Sequence, residues 1–148
     1  MCDYSLEQVA SRPAAVGQQL IVTRFPPFMT RGFAEIRVPG AAICLLPGTE
    51  VAFESEVKAE PNFPLMPKCR IGERLARFRQ VDLEKPTAHH DALEFANGEI
   101  VLVNRLVLGQ IATVLQLPKE VVRARAAAET STMRAQGAPV VARTQKVD

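Results

Sequence analysis

The sequence predicts a mainly β fold: a small barrel or sandwich of seven or eight short antiparallel strands, followed by one C-terminal helix. Three observations carry that expectation. Short apolar and β-branched runs recur along residues 17–117, punctuated by Pro-Pro, Pro-Gly and Asn-Gly pairs. After Pro47-Gly48, Val51, Phe53, Ser55 and Val57 alternate with Ala52, Glu54, Glu56 and Lys58, the period-two pattern of a strand with one dry face. Strong helix formers gather only beyond Pro118. Strands separated by short turns need closure or a second sheet to hide their apolar faces.

Residues 1–16 are mixed in character, and Pro13 argues against a long first helix. GQQLIVTRF reads as a strand stopped by Pro26-Pro27, and TRGFAEIRV as a second one ended by Pro39-Gly40. AICLL is apolar throughout, as in a strand covered on both faces. Pro47-Gly48 suits a type II turn, because proline presets the first central residue and glycine supplies positive φ at the second. Three prolines make residues 59–68 a loop. CRIGERLARFRQVDL mixes helical and extended spacing, and a strand over 76–83 is the favoured reading.

DALEFANGEIVLV predicts a hairpin. Asn97-Gly98 tolerates the two positive φ angles of a type I′ turn. That turn would pair Ala96 with Glu99, Phe95 with Ile100, Glu94 with Val101 and Leu93 with Leu102. Phe95, Ile100, Leu93 and Leu102 would then share a buried face. LVLGQIATVLQL (106–117) predicts a further strand interrupted at Gly109. PKEVVRARAAAETSTMRAQ predicts a helix opened by Pro118 and stopped by Gly137, with a thin apolar stripe that a partner would complete. Residues 138–148 read as a loose tail. The expected organisation is a β-rich domain over 1–117 and a helix with tail over 118–148.

The totals narrow the chemistry. A chain of 148 residues with 47% hydrophobic residues can bury one core. Aromatics are 5% and Trp is absent, which disfavours stacking platforms for single-stranded nucleic acid. The net charge is +2, and the run Lys68, Arg70, Arg74, Arg77, Arg79 is broken by Glu73 and followed by Asp82 and Glu84, so nucleic acid is not an expected partner. No apolar run suggests a membrane span or a signal peptide, and three scattered cysteines read as reduced thiols, so the cytoplasm is the expected location.

His89 and His90 are the only histidines, with Asp91 and Glu94 close behind. In a strand, neighbouring side chains point to opposite faces, so both imidazoles reach one metal only if the backbone kinks. His90 and Glu94 lie on one side of an extended segment and could pair. The candidate metal set is His89, His90, Glu94 and Cys2, and a transition metal such as zinc accepts that mixture of nitrogen, oxygen and sulfur. The cupin pattern does not fit, since it separates its first two histidines by one residue and needs a third. The simpler reading places both histidines at the hairpin entrance, bonded to loops.

Each cysteine has its own expectation. Cys2, if exposed at the terminus by methionine removal, would offer the thiol and amine of an N-terminal cysteine hydrolase. Cys44, within AICLL, reads as a small core residue. Cys69, between Lys68 and Arg70, is the candidate reactive thiol.

MCDYSL, SRPAAVGQQLIVTRF, CLLPGTEVAF and HHDALEFANGEIVLV together resemble a family of short bacterial proteins without an assigned activity. The resemblance implies a free-standing bacterial domain and carries over no functional residue. With weak catalytic constellations and an incomplete helix stripe, the expected role is a small soluble binding or accessory subunit. It would dock onto a protein partner or assemble as a homo-oligomer. The alternatives are a metal- or thiol-dependent site around His89 and His90, and the N-terminal cysteine hydrolase.

Overall fold

The computed structural model describes residues 10–26, 29–61 and 65–137. The chain divides into two compact units, Met1–Leu117 and Pro118–Asp148. The first is built of strands β1 (Ser11–Pro13), β2 (Gln19–Phe25), β3 (Thr30–Glu35), β4 (Val38–Cys44), β5 (Glu50–Phe53), β6 (Lys58–Ala59), β7 (Cys69–Arg70), β8 (Leu75–Gln80), β9 (Asp91–Phe95), β10 (Ile100–Leu102) and β11 (Ile111–Gln116), with a 3-10 turn at Val103–Arg105. In the second unit, α1 spans Lys119–Gly137.

Nine strands form one sheet in the order β1-β4-β3-β2-β11-β5-β8-β9-β10, and β6 and β7 pair separately. The fold is mainly β with a C-terminal helix. The sheet is mixed, where an antiparallel one was expected, because β1 runs parallel to β4. The intervening chain makes two strands before returning, so β1 and β4 meet in the same direction without a hairpin between them. Ala42 N–H donates to Ala10 O at 2.8 Å and Ala14 N–H to Cys44 O at 3.3 Å.

Residues 1–16 therefore contribute strand β1, and the two-residue strands β6 and β7 flank the proline-rich loop, all three too short for propensity to reveal. TRGFAEIRV also divides. The chain turns at Ile36-Arg37, and β4 starts at Val38 with Pro39 and Gly40 inside it. The pairing slips there, from Ala34↔Ala42 to Glu35↔Val38, so Pro39 and Gly40 sit in the irregularity and need donate nothing to the ladder.

The turn at Pro47-Gly48 follows its residue chemistry. Gly48 has φ of 96°, and Thr49 N–H donates to Leu46 O at 3.0 Å. Val51 and Phe53 are buried as their period requires, but β5 ends at Phe53; Ser55 is exposed in a bend and Val57 is buried beyond it. One cluster of buried side chains joins Leu20 and Val22 of β2, Phe33 of β3, Phe53 of β5, Phe78 of β8, Leu93 of β9, Val101 of β10 and Val114 of β11. The rings of Phe33 and Phe53 tilt against each other with centroids 6.4 Å apart.

The hairpin forms, but in a different register. Glu94 pairs with Ile100, Leu93 with Val101 and Ala92 with Leu102. Only Gly98 of the turn has positive φ, at 87°. Gly98 N–H donates to Phe95 O, and Phe95 N–H to Glu99 O. This is a three-residue loop with glycine at its left-handed position. Asn97 keeps negative φ and uses its side chain instead: Oδ1 accepts from Glu99 N–H at 3.0 Å, and Nδ2 donates to Ile71 O at 3.0 Å. The shift by one residue turns Val101 inward and leaves Ile100 46% exposed.

The 3-10 turn that follows β10 is bonded to β3 and to the segment after β6. Arg31 N–H of β3 donates to Asn104 Oδ1 at 2.9 Å, and Arg31 Nη1 donates to Leu106 O at 2.8 Å. Glu60 N–H donates to Arg105 O, and Arg105 Nη2 to Glu60 O, both at 2.7 Å. In the second unit, Val122 N–H reaches Pro118 O to start α1, which ends at Gly137. Among the described residues no helix is long and apolar enough to cross a membrane.

Candidate functional site

The two histidines stand at the entrance of β9, where the ten-residue loop 81–90 returns from β8. Val81 N–H donates to His90 O at 2.9 Å. His90 Nδ1 lies 2.9 Å from Val81 O. A carbonyl can only accept, so Nδ1 carries the proton of that bond, and Nε2 holds the lone pair of the neutral ring. The imidazole is thereby a clasp on the loop. Asp82, at φ of 51°, makes the sharp departure from β8, and Lys85 Nζ stands 3.5 Å from its carboxylate. His89 is half-buried beside it and makes interactions of its own.

The alternative pairing of His90 with Glu94 is not the one His90 makes. Glu94 Oε2 accepts from Arg79 Nη1 at 3.0 Å. Asp91 Oδ1 accepts from Gln80 Nε2 at 3.5 Å. β8 and β9 align Gln80 with Asp91 and Arg77 with Glu94, which leaves Arg79 diagonally beside Glu94. Of the basic run, Arg77 and Arg79 on β8 are held by Glu50 and Glu94. Among the described residues, no three His, Cys, Asp or Glu side chains group as metal ligands. Cys2 lies outside the described residues.

The other cysteines differ from each other. Cys69 is a free, exposed thiol on β7. Cys44, expected as a reduced core residue, is disulfide-bonded. It is half-buried at the end of β4, between the buried Ile43 and Leu45. The three cysteines are therefore not all the reduced thiols expected of a cytoplasmic chain.

Sequence patterns gave no hint of a third feature, the outer face of β5, β8 and β9. Arg77 lies in register with Glu50 on one side and Glu94 on the other. Its Nη2 is 2.9 Å from Glu50 Oε1, and its side chain is 63% exposed. Beside this row, Leu75 and Leu115 are large apolar side chains left in solvent. Together they line an open trough of about 430 Å³. Such a trough is too open to sequester a reaction from water, but it offers charge, apolar area and shape for a macromolecular contact. The period-two pattern could have placed Leu75 and Arg77 on one face, but only strand order brings Glu50, Glu94 and Leu115 beside them. Comparison with protein-family models, with curated proteins and with solved structures finds no match to this chain.

Proposed function

We propose that the chain is a small binding or accessory subunit that docks onto a protein partner or a second copy of itself. The supporting observation is α1. Within its own unit α1 buries no side chain from Lys119 to Thr132, and the first-turn residue Val122 is half-exposed. Thr130 and Thr132 turn their hydroxyls back onto Ala126 O and Ala128 O. A helix draws most of its stability from packing one face, and this one has a face to offer.

In this reading the first unit is a rigid scaffold, a small barrel in which the 3-10 turn closes the curled sheet. Supporting closure are the bonds from Arg31 to Asn104 and Leu106, and one buried cluster that includes both Ile43 of β4 and Val101 of β10.

Size-exclusion chromatography with light scattering tests docking. The full chain is expected to exceed monomer mass, alone or with its partner. Val122→Asp, or ending the chain at Leu117, is expected to lower that mass. A monomer whose mass, elution and thermal midpoint ignore both changes would count against docking.

A further inference from the structure

The outer face of β5 and β8 carries two rows of facing residues. Glu50 is the Cα partner of Arg77, and Ala52 the partner of Leu75. Val51 and Ala76, between them, are buried, so these four side chains share the face turned from the core. Leu75 is 57% exposed and Leu115, at the margin, 47%.

Building on the docking reading above, we propose that this face is a self-association surface, and that its occupant is the same face of a second copy. The reason is self-complementarity. Consider a two-fold axis parallel to the strands and midway between β5 and β8. Facing copies then exchange the two strands. Glu50 of each copy meets Arg77 of the other, and Ala52 of each meets Leu75 of the other. Opposite charges meet in one row and apolar groups in the next. The in-chain bond from Arg77 to Glu50 at 2.9 Å means that neither charge is desolvated alone. A second copy supplies this matched pattern through symmetry alone, as isologous dimers do. A foreign partner would have to match both rows independently.

Three proteins test the proposal: the native chain, Leu75→Asp and the double variant E50R/R77E. The native chain is expected to dimerise as its concentration rises. Leu75→Asp is expected to weaken the dimer at least about tenfold, since it buries an unpaired carboxylate on each side. E50R/R77E keeps the in-chain pair and the self-complementarity; it sets a glutamate beside Glu94, whose charge Arg79 offsets, so it is expected to dimerise with itself to within about tenfold of native. Mixed with the native chain, however, it sets Glu50 against a glutamate and Arg77 against an arginine. Native mass spectrometry should then find heterodimers far below the roughly one-half of random mixing. Circular dichroism establishes that each variant is folded.

Random mixing, a dimer indifferent to Leu75→Asp, or a native chain that stays monomeric would each overturn the proposal. The outcomes separate it from the broader docking reading. A dimer that ignores Leu75→Asp but dissociates with Val122→Asp moves the contact to α1 and leaves docking intact. A monomer unaffected by losing α1 removes both.

Discussion

Leu93 faces Val101 across the β9–β10 pair, one position away from the Leu102 that a two-residue turn would have set there. That single step decides which side chains of β10 are dry. Val101 is 5% exposed and Ile100 46%. Val101→Ala is therefore expected to cost about 2 kcal/mol and Ile100→Ala under about 0.5 kcal/mol. Urea denaturation of both variants checks the order, and a costlier Ile100 would refute the register.

The turn itself gives a second expectation. Gly98→Ala forces a side chain into the left-handed region and should cost about 1–2 kcal/mol. Asn97→Ala should cost about 1–2 kcal/mol for a different reason, since it strands the Glu99 N–H and the Ile71 carbonyl together. Asn97→Gly, which would ease a type I′ turn, is expected to be no milder than Asn97→Ala. A thermal-melting series of the three decides it.

His90 is expected to behave as a clasp. Nitrogen NMR of the neutral ring should find the proton on Nδ1, bonded toward Val81 O. His90→Ala should cost about 1 kcal/mol and speed amide exchange at Val81 and through the 81–90 loop. Glu94→Ala, which removes a half-exposed ion pair with Arg79, should cost under about 1 kcal/mol. A far larger loss at Glu94, accompanied by release of bound zinc, would restore a metal role for His89, His90 and Glu94.

Arg31 should matter far more than an ordinary surface arginine. Its side chain is 14% exposed, donates to Leu106 O at 2.8 Å and passes 3.7 Å from Glu60. Arg31→Met keeps the apolar stem but leaves the Leu106 carbonyl unpaired. The expected loss is about 1–3 kcal/mol, with faster exchange in β3 and the 3-10 turn. Denaturation together with hydrogen exchange reads both effects.

The cysteines should separate by alkylation. Without reductant, peptide mapping should find Cys69 modified within the folded protein and Cys44 protected. Adding reductant should open Cys44. Ready modification of Cys44 in unreduced protein would contradict its disulfide.

Much of this protein was legible one segment at a time. Alternation over Val51–Val57 gave β5 its inner face, Pro47-Gly48 gave its turn, and Pro118 and Gly137 bracketed α1. These features depend on torsional preference and on side-chain period, which act between near neighbours. The chain also named the hairpin, because glycine at 98 can turn where most residues cannot. It could not choose between two loops that both use that glycine. Asn97 decided by bonding Ile71, a residue 26 positions away.

The candidate site divides along the same line. Two adjacent histidines and a following glutamate were visible as residues, yet their roles came from β8. The β8–β9 register gave Glu94 to Arg79, and the return of the loop gave His90 to Val81. The parallel β1–β4 pair and the row Glu50–Arg77–Glu94 were likewise settled by which strands became neighbours. Sequence alone determined where the chain extends, turns and coils, because those choices are local. Only the tertiary structure decided which charges and apolar groups meet, because strand order is set by burying one shared core across the whole first unit.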